Sequence, residues 1–185
     1  MVPAPFIVVL DANVLFPFTL RDTLLRAASE GFYQLRWSSQ ILDEMTRNLA
    51  SSGTMSDEKA SRLRAIMENE FPEAEVTGYE HLVAAMKNHE KDRHVVAAAV
   101  KAGAQVITTS NLKDFADLPE GIEAQSPDVF LCNLFNLDPD SFVELLREQA
   151  ADLVNPPMAF HELLDRLGRV VPALVASARE HVGTA

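Results

Sequence analysis

The chain has 185 residues, is 48% hydrophobic, carries a formal net charge of −11 and contains one cysteine, Cys132. That apolar content excludes a disordered chain, and the length suits one domain with an appendage. A lone cysteine excludes an intramolecular disulfide and fits a reducing cytoplasm. The acidic balance argues against charge-driven adhesion to nucleic acid or anionic membranes, so a nucleic-acid substrate requires locally gathered basic residues or metal ions.

The opening stretch MVPAPFIVVLDAN has no basic leader region, and its apolar run is too short for a signal peptide. No segment approaches the roughly 18 to 20 apolar residues of a membrane span. Phe6 to Leu10 reads as a buried strand ending abruptly at Asp11 and Asn13. RDTLLRAASEGF predicts a helix with Leu24, Leu25 and Ala28 on one face and Gly31 as its stop. YQLRWS predicts a half-buried strand, with Leu35 and Trp37 on one side. Ser38 or Ser39 caps the next helix, QILDEMTRNL, with Asp43 and Glu44 in its first turns, where the helix dipole favours negative charge.

SDEKASRLRAIMENEF predicts a helix capped by Ser56 and ended by Pro72. A short strand near Val76 precedes a helix from about Tyr79. DRHVVAAAVKAG predicts a helix stopped by Gly103. AQVITTS is a buried strand running into NLKDF, and IEAQS is a further strand. PDVFLCNLF predicts a short helix with Pro127 at its first position and Cys132 as a buried small hydrophobe. From about Asp138 the pattern is all-helical, with Pro156 and Pro157 in a turn and Pro172 breaking or kinking the last helix. The expected division is residues 1–137 as an α/β domain and 138–185 as a helical extension.

Alternating strands and helices predict a parallel sheet with helices on both faces. Ligands of such sheets sit beyond the carboxyl ends of the strands. Asp11 and Asn13 follow one strand, and Ser110, Asn111 and Asp114 follow another, so both groups fall at one sheet edge.

Asp11, Glu44, Asp92 and Asp114 stand at strand ends or helix starts beside apolar sequence. Each has a structural alternative: an N-cap or Asx-turn for Asp11, a partner in Arg47 or Asn48 for Glu44, a cap for Asp92, a loop turn for Asp114. Brought together, the acids would repel one another unless a divalent cation balanced them. Oxygen-rich sites suit Mg²⁺ or Mn²⁺, and such sites cleave phosphodiesters.

LDANVLF, RWSSQILDEMTRNL and KDRHVVAAAVKAGAQVITTSNLKDF together resemble the PIN-domain family of nucleases, in particular its VapC-like branch of toxins from toxin–antitoxin modules. The resemblance covers about Phe6 to Leu137. It implies a PIN-like three-layer α/β sandwich with a central parallel sheet, and Mg²⁺- or Mn²⁺-dependent RNA cleavage leaving a 5′-phosphate and a 3′-hydroxyl. Asp11, Glu44 and Asp92 become the metal-binding and catalytic acids. Some members carry an acid where Asn111 stands, so Asp114 becomes the fourth, with Asn111 orienting a water or a phosphate. Asn13 fixes a carboxylate rotamer, and Ser110 touches the phosphate. The resemblance further implies an RNA substrate and a small antitoxin protein in the cytoplasm. A homodimer is common among similar proteins.

The remaining residues have plainer readings. Thr108 and Thr109 reflect β-propensity, His94 is a surface or packing histidine, and Trp37 and Phe115 belong to the core. Lys87, Lys91, Arg93 and Lys113 are the basic residues expected near the site, and they either offset its charge or form a solvated face. The amphipathic run of Leu163, Leu164, Leu167, Val170 and Val171 packs on its own domain, mediates oligomerisation or docks an antitoxin. Two other functions stay open: a non-enzymatic PIN-like scaffold binding RNA or a protein, and a phosphatase of the haloacid-dehalogenase type. The latter normally needs a second Asp where Asn13 stands.

Overall fold

The computed structural model describes residues 6–184, so the first five residues of the opening stretch lie outside it. In chain order the elements are β1 (Ile7–Leu10), α1 (Ala12–Leu15), α2 (Phe18–Ser29), β2 (Gln34–Arg36), α3 (Ser39–Ser51), α4 (Asp57–Glu70), α5 (Arg93–Ala102), β3 (Val106–Thr108), β4 (Glu123–Gln125), α6 (Pro127–Leu137), α7 (Pro139–Asp152), α8 (Phe160–Leu167) and α9 (Pro172–Thr184). Short 3-10 turns cover Glu80–Ala85, Glu90–Asp92 and Leu112–Phe115.

The chain forms two compact units. One contains the residues up to Phe16 and Tyr33–Gln125, the other Pro17–Phe32 and everything from Ser126 on. The units part at Ser126, whereas the sequence suggested a boundary near Asp138. Residues Pro17–Phe32 also join the second unit, through contacts between residues far apart in sequence.

The first unit is built on a four-stranded sheet in the order β2-β1-β3-β4, parallel throughout, and is flanked by helices as an α/β fold requires. Val8 pairs with Leu35 on one side and Val106 on the other, and Leu10 pairs with Thr108. Val8, Val9 and Leu10 are fully buried, as the unbroken apolar run demands of a central strand. The strand expected near Val76 is a single parallel bridge, Trp37 to Glu75. Tyr79 is followed by a 3-10 turn rather than an α-helix.

Ser38 caps α3 by accepting from Ile41 N at 3.2 Å, and Ser56 caps α4 by accepting from Lys59 N. Arg64 of α4 bonds Asp43, Ser39 and Glu68, tying α4 to the first turns of α3. α5 ends at Gly103, whose φ of +65° is the left-handed cap that glycine adopts without steric cost. Its Val95 to Ala99 run is buried, which fixes the start of the helix against the sheet.

In the second unit α2 begins at Phe18, before the predicted Arg21, with Pro17 as its N-cap. Its buried face is Leu20, Arg21, Thr23, Leu24 and Ala27; the expected Leu25 and Ala28 are only half-buried. Thr23 Oγ1 donates to Gln149 Oε1 of α7 at 2.8 Å, and Gln149 Nε2 donates to Thr19 O at 3.1 Å. Asp128 accepts from Ala173 N and Leu174 N, capping the start of α9. Leu163, Leu164, Leu167 and Val171 are buried and Val170 is exposed, so most of that apolar run packs internally. Cys132 is half-buried rather than fully buried.

Candidate metal centre

β1 and β3 end side by side, and the backbone continues that pairing one step further, with Asp11 N donating to Thr108 O at 3.1 Å. Asp11 is the N-cap of α1 and accepts from Ala12 N through Oδ1 at 2.7 Å. Its other oxygen, Oδ2, accepts from Asn13 Nδ2 at 2.6 Å and from Thr109 Oγ1 at 2.8 Å. Asn13 Nδ2 also donates to Thr109 Oγ1, and its Oδ1 accepts from Ser110 N. The Asn13 amide therefore joins the ends of the two strands.

Asp92 closes a 3-10 turn and leads into α5 without a side-chain cap bond. The loop after β3 brings Asp114 to it. Asn111 Nδ2 donates to Asp114 Oδ2, and Thr109 Oγ1 accepts from Asn111 N at 3.1 Å. Glu44 extends from α3 and meets neither Arg47 nor Asn48. Its Oε1 lies 3.0 Å from Nε2 of His94, which is only 3% exposed.

The four acids feel one another. Burial is the largest influence on Asp11 and pushes its carboxyl up to about 6; the bonds from Thr109 and Ala12 oppose this, and the charges of Asp92 and Glu44 add to it. Burial likewise raises Asp92, followed by repulsion from Asp114 and Glu44, with His89 and His94 opposing. Among the described residues no lysine or arginine makes an ion pair with any of the four. Lys87, Lys91 and Lys113 are exposed, and Arg93 donates through Nε to Asn88 O at 3.2 Å.

The ligand atoms of His89, Asp92 and Asp114 lie within 4.8 Å of one another, and Asp11 stands outside this triple. Oxygen donors with unbalanced negative charge fit a hard divalent cation. An open pocket of about 410 Å³ is lined by Asn13, Phe16, Asn48, Ser51 and Ser52, and of these Asn13 bonds Asp11.

The sequence reading missed two residues around these acids. Thr109 bonds Asp11, Asn13 and Asn111, although its neighbours Thr108 and Ser110 look equivalent in sequence. His94, expected at the surface or in packing, is buried against Glu44. His89 Nδ1 lies 3.5 Å from Asp92 Oδ2, a neighbour that its i, i+3 spacing could have signalled. Trp37 and Phe115 are buried, at 0% and 4% exposure.

A parallel sheet with acids gathered at its carboxyl edge is a nuclease-like architecture, and the chain belongs to the PIN domain family, whose model matches residues 7–113. Residues 127–180 match a second model, the VapC50 C-terminal domain. Among curated proteins, "Putative ribonuclease VapC50" of Mycobacterium tuberculosis (strain ATCC 25618 / H37Rv) is 45% identical over 105 residues, covering 55% of this chain. The chain spans 62% of the length of that relative. No solved structure matches the chain.

Proposed function

We propose that this chain is a Mg²⁺- or Mn²⁺-dependent endoribonuclease that hydrolyses RNA phosphodiester bonds, and that it is the toxin of a toxin–antitoxin pair. Its setting is the cytoplasm, its partner a small antitoxin protein, and its assembly a homodimer. One observation carries the enzymatic reading. Asp92 lies beside Asp114 and feels the charges of Asp11, Glu44 and Asp114, and among the described residues no lysine or arginine forms an ion pair with these acids. A fold has no stability reason to gather acids in this way, since their mutual repulsion and desolvation cost free energy.

Asp11, Asp92 and Asp114, helped by Glu44, would hold the cation. A bound divalent cation supplies positive charge for the phosphate and acidifies water. The chain's own residues keep the acids in place. Asn13 and Thr109 hold the Asp11 carboxylate, Asn111 holds Asp114, and His94 backs Glu44. Ser110 stands at the strand end, where a phosphate oxygen would pass. The helical extension contributes none of the four acids. The expected products carry a 5′-phosphate and a 3′-hydroxyl.

The scaffold reading retains one supporting observation, the net charge of −11, which opposes an incoming RNA. The two readings separate on a mixed RNA pool that includes tRNAs, incubated with Mg²⁺, Mn²⁺ or chelator. Metal-dependent cutting supports the enzyme. Intact RNA in every condition, from well-folded protein free of any bound inhibitor, supports the scaffold.

A further inference from the structure

We infer that His89 is a ligand of the metal centre and shifts its preference from Mg²⁺ towards transition-series divalents such as Mn²⁺. The inference rests on the metal-dependent reading of the acid cluster and adds an imidazole that the four-acid set lacks.

His89, Asp92 and Asp114 are the residues whose ligand atoms lie within 4.8 Å of one another among the described residues. His89 Nδ1 is 3.5 Å from Asp92 Oδ2, close enough for both to reach one ion and too long for a strong direct hydrogen bond. The ring is half-exposed, so an ion and its waters have access to it.

The backbone around His89 is fastened to the loop that carries Asp114. His89 N donates to Asp114 O at 3.1 Å, and Asp92 N donates to His89 O at 2.9 Å. Asn88, 4% exposed, donates through Nδ2 towards the carbonyls of both His89 and Asp114. Its Oδ1 is buried with no protein partner. These bonds hold the His89 backbone next to both acids.

The chemistry follows from ligand type. Mg²⁺ takes oxygen and holds its waters, whereas imidazole nitrogen suits transition metals. Two carboxylates and one imidazole therefore favour Mn²⁺ over Mg²⁺ more than four carboxylates would.

The test reads the metal and not the cutting. Mn²⁺ is titrated into the metal-free full chain and followed by electron paramagnetic resonance, with spin-echo modulation to detect directly bound nitrogen. Mg²⁺ competition gives the relative affinity. Wild-type protein should show nitrogen coupling that is lost in His89→Ala and His89→Gln, and Mn²⁺ preference over Mg²⁺ should fall about tenfold in both. Mn²⁺ bound without nitrogen coupling, or with coupling that survives both substitutions, overturns the role of His89 and leaves the acid site standing. Wild-type protein that binds no Mn²⁺ overturns both.

Discussion

Asn13 Nδ2 lies 2.6 Å from Asp11 Oδ2, and this bond sets the direction of the acid that ends β1. The same amide reaches Thr109 and Ser110 across the sheet edge, so one side chain aligns two strand ends. Asn13→Ala removes all three contacts and leaves partly buried partners to water. It should lower stability by about 1–3 kcal/mol and lower cleavage, with metal affinity falling as well. Chemical denaturation and metal titration check this; an unchanged metal affinity contradicts the positioning role.

Thr109 meets the same network from the other strand. Its hydroxyl donates to Asp11 and accepts from Asn13 and from the Asn111 backbone. Thr109→Val keeps the shape and removes the oxygen, leaving three groups short of a partner. Destabilisation of about 1–3 kcal/mol is expected, together with slower RNA cutting. Thr108→Val serves as the comparison. Thr108 Oγ1 is buried without a partner, so this change should be neutral or stabilising.

The metal-free protein should become more stable on mild acidification. Burial raises the Asp11 carboxyl from 3.8 to about 6, and Asp92 moves in the same direction. An acid that is harder to ionise folded than unfolded takes up protons on folding. Its contribution therefore favours the fold at low pH and is lost as pH rises from about 3.8 through about 6, a change on the order of 3 kcal/mol for Asp11. Thermal melts of chelated protein should show a higher Tm at pH 5.5 than at pH 7.5. Saturating Mg²⁺ should flatten or reverse that slope, because binding requires ionised acids. A chelated Tm that is lower at pH 5.5 than at pH 7.5 contradicts the raised Asp11.

The second unit offers a control away from the acids. Gln149 is fully buried, accepting from Thr23 and donating to Thr19 O. Gln149→Leu leaves both without that partner and should cost about 1–3 kcal/mol in denaturant unfolding. At temperatures where the variant is folded, the metal affinity of the acid cluster should be unchanged.

Much of the sheet was legible because β1 is a short unbroken apolar run and β3 a short β-branched one, and the caps Ser38 and Ser56 sit where hydroxyls precede helical periodicity. Asp11 stood out because it ends an unbroken apolar run, and Glu44, Asp92 and Asp114 through the motifs that resemble the PIN family. What escaped depends on contacts between distant residues. α2 starts at Phe18, ahead of the polar Arg21 that looked like its beginning, and only the fold reveals that it belongs with the C-terminal helices. The 3-10 turns at Glu80–Ala85 and Leu112–Phe115 lack a helical period long enough to read. For His94 the sequence left surface and packing open, and the partner that it packs against, Glu44, comes from another helix.

The most direct test is cleavage of the mixed RNA pool by wild-type and Asp92→Asn protein, side by side, with Mg²⁺, with Mn²⁺ and with chelator. Cutting that requires metal, vanishes in Asp92→Asn and leaves 5′-phosphate ends is the predicted result. Equal cutting by both proteins, or none by a folded and inhibitor-free wild type, would contradict a metal-dependent ribonuclease built on these four acids.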